Sequence, residues 1–121
     1  MYNLLLVDSE AEPFAKLEPA IRLDNRVVLA TATSGNDALR MALEKPCDLV
    51  LVDEMLVDMT GLEFVAKLVS RDPTINCALI SSLDDGEFHQ ASEGLGILAT
   101  LPPYPDVDQL DVLLDKLNAI L

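Results

Sequence analysis

LVLVDEMLVDMTGLEF, Leu49 to Phe64, is the stretch on which the reading of this chain turns. Four apolar residues lead straight into Asp53. A strand with no polar alternation belongs in a sheet covered on both faces. An acid at the end of such a strand is costly to desolvate unless something partners or uses it. Asp53 is therefore a reactive carboxylate, a helix cap, or a remnant of lost chemistry. The cap reading is the weaker one, because the next helical pattern begins near Gly61, well past Asp53.

Outward from this stretch, apolar runs of strand length alternate with helical patterns. Asn3–Val7 (NLLLV), Arg26–Thr31 (RVVLAT), Asp48–Val52 and Cys77–Ile80 (CALI) read as strands, with Gly96–Leu101 a short fifth. Helical spacing covers Glu12–Leu23, Asn36–Glu44, Gly61–Val69, Asp84–Glu93 and Asp106–Leu121. Pro13 suits a first helical turn, whereas Pro19 should kink its helix or shift the start. Ser34 is placed to cap the second helix, and Asp84 or Asp85 the fourth. Five strand–helix units predict an α/β fold, an open doubly wound parallel sheet with helices on both faces, in one domain over residues 1–121. They are too few for an eight-unit barrel. A strand order of 2-1-3-4-5 would make the first and third strands neighbours where the order reverses. Asp8 and Asp53, which end those strands, would then meet in space.

The composition narrows the partners. The 121 residues are half apolar, and the formal net charge is −13. Such acidity argues against direct nucleic-acid binding, which needs Lys and Arg patches, and against anionic membrane surfaces. No apolar run is long enough to span a membrane, and MYNLLLVDSE has neither the basic region nor the cleavage site of a signal peptide. A cytoplasmic location is expected. Cys47 and Cys77 belong to no CxxC pair and read as buried free thiols. His89, the only histidine, is expected to face solvent on its helix, and it rules out a multi-histidine metal site.

At the crevice between the first and third strands we expect Asp8, Ser9 and Glu10, then Asp53, then Ser81 and Ser82 from the end of the fourth strand. The turn after the first strand, DSEAEPF, is acidic and holds no glycine-rich phosphate loop, so a dinucleotide or flavin-type cofactor is disfavoured. Two carboxylates and a backbone carbonyl make a hard oxygen site suited to Mg²⁺. A carboxylate can also attack phosphorus to give an acyl phosphate. Bland readings stand beside these. Serines after a strand are commonly turn residues, Asp84 and Asp85 suit a helix start, and Gly61 suits a turn.

The segments LLLVDSE, TATSGNDAL, PCDLVLVDEMLVDMTGLEF and CALISSLDD together resemble the response-regulator receiver domain of two-component signalling, over essentially the whole chain. The resemblance implies a flavodoxin-like fold. It aligns Asp53 with the phosphoacceptor, Asp8 with the first of the usual acid pair and the Met55 carbonyl with the metal-binding backbone position. Ser81 aligns with the hydroxyl residue that contacts the phosphoryl group. It implies Mg²⁺ as cofactor, no enzyme activity beyond self-phosphorylation and dephosphorylation at Asp53, and a histidine kinase or phosphotransfer protein as donor. The downstream protein partner would read the face of the fourth helix, fifth strand and fifth helix. The last two helices also offer a face for a homodimer.

The departures weaken that site. Ser9 stands where the second acid is usual and remains a further metal-site candidate. Pro102, or Leu101 if the alignment slips by one, replaces the family's lysine. Leu98 and Ala99 are the candidates at the position of the aromatic switch residue, and Val57 and Thr60 replace a proline and an acid. The family's lysine–proline bond is usually cis, which makes Pro102–Pro103 a candidate cis bond. Losing a cation contact in a partly desolvated site removes roughly 1.5–3 kcal/mol. Two functions follow as expectations: a phosphoacceptor with a weakened site, and a pseudo-receiver that docks proteins independently of phosphorylation.

Overall fold

In a computed structural model, described over residues 1–10, 12–91 and 94–120, the five apolar runs pair as one wholly parallel sheet. The strands are β1 (Tyr2–Val7), β2 (Val27–Ala32), β3 (Leu49–Val52), β4 (Cys77–Ile80) and β5 (Ala99–Leu101). Their order is β2-β1-β3-β4-β5, as expected. β1 meets β3 in the register Leu4–Leu49 through Val7–Val52, so both strands stop level and Asp8 and Asp53 follow side by side. β3 and β4 are fully buried, as strands covered on both faces must be.

The helices are α1 (Leu17–Leu23), α2 (Gly35–Glu44), α3 (Gly61–Arg71), α4 (Asp85–Ala91) and α5 (Val107–Ile120). The pleat sends alternate strand residues to opposite faces. Leu4, Leu6, Leu49 and Leu51 pack with Leu17 and Ile21 of α1 and with Leu110, Leu113 and Leu117 of α5. Leu5, Val7, Val50 and Val52 pack with Ala38 and Ala42 of α2 and with Phe64, Val65 and Leu68 of α3. No helix among the described residues is long and apolar enough to cross a membrane.

Four expectations change in detail. The helix read over Glu12–Leu23 is split into a 3₁₀ turn at Glu12–Phe14 and α1 from Leu17. Pro19 thus shifts the start: it falls in the first turn of α1, where an N–H would have no intrahelical partner anyway. β5 covers only Ala99–Leu101 of the expected Gly96–Leu101; Gly96 itself takes φ +64, a left-handed conformation outside the extended region. Asp84 and Asp106 stand before their helices as caps, with Asp84 Oδ1 accepting the Glu87 N–H at 2.7 Å and Asp106 Oδ1 the Asp108 N–H at 3.0 Å. The Pro102–Pro103 bond is trans, like every described peptide bond. Glu93 and Leu121, read as helix ends, and the side chain of His89 lie outside what is described.

Both cysteines are free. Burial pushes the Cys47 thiol up to about 11 and the Cys77 thiol to about 12, so both are inert neutral thiols near neutral pH.

Candidate functional site

Asp8 and Asp53 are the only buried charged residues among those described. The backbone places them: the Asp8 N–H donates to the Ala32 carbonyl at 3.1 Å and the Asp53 N–H to the Val7 carbonyl at 3.0 Å. Each amide extends the sheet ladder by one residue, and each carboxylate is left at the mouth of the crevice. Desolvation raises the Asp8 carboxyl to about 6, helped by the negative charges of Glu18 and Asp53. Desolvation also raises Asp53, with Glu54 and Glu10 adding to it, while backbone N–H groups of Glu54 and Met55 pull it down. The Glu54 N–H lies 2.7 Å from Asp53 Oδ1.

Asp53 is not a helix cap. Thr60 is, its hydroxyl accepting the Glu63 N–H at 3.1 Å at the start of α3. A Cβ on Gly61 would run into the Asp53 carbonyl and Leu79, so glycine lets α3 begin directly against the strand end. Between Asp53 and Gly61 the chain makes a tight antiparallel bridge, Met55 opposite Thr60. Its bonds run from the Gly61 N–H to the Glu54 carbonyl and from the Leu56 N–H to the Met59 carbonyl, both at 2.8 Å. Met55 and Thr60 are therefore the non-hydrogen-bonded pair, and the bridge does not consume the Met55 carbonyl.

The Ser9 hydroxyl is committed to neighbouring backbone. It donates to the Thr33 carbonyl and accepts the Val57 N–H, each at 2.7 Å. Ser81 makes the local turn that serines after strands often make, its hydroxyl accepting the Leu83 N–H at 3.1 Å. Glu10 is exposed and reaches Asp53 only through its charge.

Two acids missed by sequence reasoning shape the rim. Asp58 accepts the N–H groups of Gly35 at 2.8 Å and Asn36 at 3.0 Å, so it shares with Ser34 the capping of α2. Glu54 accepts the Ser82 hydroxyl at 2.7 Å. Neither leaves a local sequence signal, because the partners lie more than twenty residues away in the chain.

Among the described residues no ion pair reaches Asp8 or Asp53. The ion pairs among the described residues join Arg22 to Glu18, Arg26 to Asp24 and Asp111, and Arg40 to Asp37 and Glu44. A cleft of about 260 Å³ at the end of β5 is lined by Ser81, Leu83, Phe88, Thr100, Leu101 and Pro102, none of them charged. A larger cavity, about 460 Å³, lies between β1, β2 and the end of α2. It is remote from both acids, and volume alone does not make it the chemical site.

For a divalent ion the donor set is two carboxylates, an uncommitted backbone carbonyl and water. No third Asp, Glu, His or Cys joins them among the described residues. That set fits Mg²⁺, which prefers oxygen, needs few protein ligands and keeps several waters. Such an ion would favour the ionised form of Asp8, which desolvation first and the charges of Glu18 and Asp53 second disfavour.

Comparison with known proteins agrees with this geometry. The family model of the response regulator receiver domain matches residues 4–114. Over 94 residues the chain is 31% identical to a protein-glutamate methylesterase/protein-glutamine glutaminase 2 of Paramagnetospirillum magneticum; the match covers 77% of this chain but 27% of that longer protein. It is 26% identical over 83 residues to the chemotaxis protein CheY of Listeria monocytogenes, covering 69% of this chain and 70% of that one. The receiver domain protein of Methanospirillum hungatei superposes with a TM-score of 0.84 at 20% identity, over 98% of this chain and 95% of that one. The level strand ends that pair Asp8 with Asp53, and the match over nearly the whole chain, place this protein in the response regulator receiver domain family of two-component signalling.

Proposed function

We propose that the domain, taken as one unit over residues 1–121, accepts a phosphoryl group on Asp53. The observation that carries this is the pair of buried carboxylates, Asp8 and Asp53, at the reversal point of the sheet. An Asp53 oxygen would attack phosphorus in line. The donor's P–N bond to a kinase or phosphotransfer-protein histidine would break, leaving the imidazole and an acyl phosphate on Asp53. Asp8, Asp53 and the Met55 carbonyl would hold Mg²⁺, which when bound supplies charge neutralisation for the phosphoryl oxygens. Ser9 contributes little to that set, since its hydroxyl already serves Thr33 and Val57. Ser81 would give up its turn bond and donate its hydroxyl to a phosphoryl oxygen. The change would pass to α4, β5 and α5, where Tyr104 and Val107 stand exposed, and there a downstream protein partner or a second copy would read it. The cytoplasm is the compartment we assign.

The uncharged cleft at Pro102 favours a second reading, a phosphorylation-independent pseudo-receiver that docks proteins. One experiment separates them. The protein is incubated with Mg²⁺ and acetyl phosphate or phosphoramidate and its intact mass taken, with Asp53→Asn as control. The first reading expects a phosphoryl-sized gain absent from the variant. No gain, together with no spectral response to beryllofluoride, selects the docking module.

A further inference from the structure

Glu54 spends all its polar groups on joining three segments. Its N–H donates to Asp53 Oδ1 at 2.7 Å. Its carbonyl accepts the Gly61 N–H at 2.8 Å. Its carboxylate accepts the Ser82 hydroxyl at 2.7 Å and the Ser82 N–H at 3.2 Å to each oxygen. The loop between β4 and α4 is otherwise held at its first residue, where the Ser81 N–H donates to the Leu101 carbonyl of β5 at 3.2 Å; beyond that the described bonds are local, Ser81 to Leu83 and Asp84 to Glu87 and Phe88. One carboxylate, on the residue next to Asp53, therefore ties that loop to the end of β3.

We propose that Glu54 is a positioning residue: its carboxylate latches the Ser81–Ser82 loop while Asp53 is unmodified and releases it when Asp53 gains charge. This rests on the phosphoacceptor reading above. A phosphoryl group takes the charge at Asp53 from −1 to about −2, and the like charge nearest along the chain is Glu54. Repulsion there weakens the hold on Ser82 and frees the loop, so that the Ser81 hydroxyl can turn. No covalent bond at Glu54 changes. The charges that act here are Glu54 and Glu10 on Asp53, and Glu18 of α1 and Asp53 on Asp8; the side chains of the loop residues Ser81 and Ser82 bring only hydroxyls.

The test compares the whole chain as wild type, Glu54→Gln, Glu54→Ala and Asp53→Asn. Glutamine keeps an acceptor oxygen but loses the charge. Amide hydrogen exchange, read by NMR without phosphodonor, should rise about tenfold at Ser82 in Glu54→Ala, as for a local opening, and less in Glu54→Gln. It should fall at Ser82 in Asp53→Asn and stay unchanged at Val57 throughout. With Mg²⁺ and acetyl phosphate, Glu54→Gln should take up phosphate about twofold to fivefold faster, as removal of one nearby like charge allows. Unchanged Ser82 exchange in both Glu54→Ala and Asp53→Asn overturns the latch, as does a Glu54→Gln uptake rate equal to that of wild type. Failure of every variant to take up phosphate sinks the phosphoacceptor reading instead, and exchange alone then decides whether the latch exists.

Discussion

The two sides of the crevice are built differently. On the α2 side, Ser9 bridges Thr33 and Val57, Asp58 holds the first N–H groups of α2, and the Met59 side chain lies against Gly35. Three segments are locked by bonds that do not depend on one another. On the α4 side, the Ser81 N–H carries the ladder one step further to Leu101, beyond it a single carboxylate holds Ser82, and the neighbouring β5 contributes three residues. Both sides flank the same two acids. Stability within a fold is uneven, and the parts that move in a switch come from its weakly held end. A charge change at Asp53 should therefore be felt on the α4 side while the α2 side stays fixed.

The acids between the two sides carry the largest expected effect. Asp8→Asn should stabilise the protein at pH 7.5 by roughly 1–3 kcal/mol, the free energy of a carboxyl raised by about two pH units. The sign follows from its raised value of about 6 against an ordinary 3.8. Neutral Asp8 is tolerated below 3.8, and stability is lost as pH rises through about 6 and the buried charge forms. Thermal melts should show the gain above pH 6 and none near pH 3.5. A pH-independent gain would mean that burial of the charge is not its source.

Ser9→Asp attacks the fixed side. A carboxylate can still accept the Val57 N–H, but it cannot donate to the Thr33 carbonyl and it adds a third negative charge near Asp8 and Asp53. In EDTA the variant should melt lower, by about 1–2 kcal/mol for a lost hydrogen bond and an unpaired carbonyl. Excess Mg²⁺ should recover more for it than for wild type, since an added carboxylate strengthens a hard oxygen site. Equal Mg²⁺ responses would show that position 9 cannot reach the ion.

Which parts were legible follows from the range of each cause. Apolar runs such as LVLV and CALI carry their own burial, and regular alternation carries the sheet order. The Ser34 and Asp84 caps act over three residues and are visible locally. Asp8 and Asp53 could be paired because topology alone brings strand ends together. The ties made by Glu54, Asp58 and Ser9 were not legible: their partners are 28, 22 and 48 residues away, and only folding brings them close. The left-handed backbone at Gly96 and the turn that receives Pro19 are likewise not fixed by periodicity.

The smallest effect is the contrast of Asp58→Ala with Ser82→Ala. Removing Asp58 strips two N–H groups of α2 of their acceptor, and Ser34 caps only a third. The loss of such a cap costs about 1 kcal/mol. Ser82→Ala deletes a hydroxyl but leaves the backbone N–H to Glu54, and an exposed site of that kind changes stability by no more than about 0.5 kcal/mol. Urea denaturation of the two variants beside wild type measures both. If Ser82→Ala proved the more damaging, the α4 side would be the better anchored, and the direction of the switch argued from Glu54 would have to be reversed.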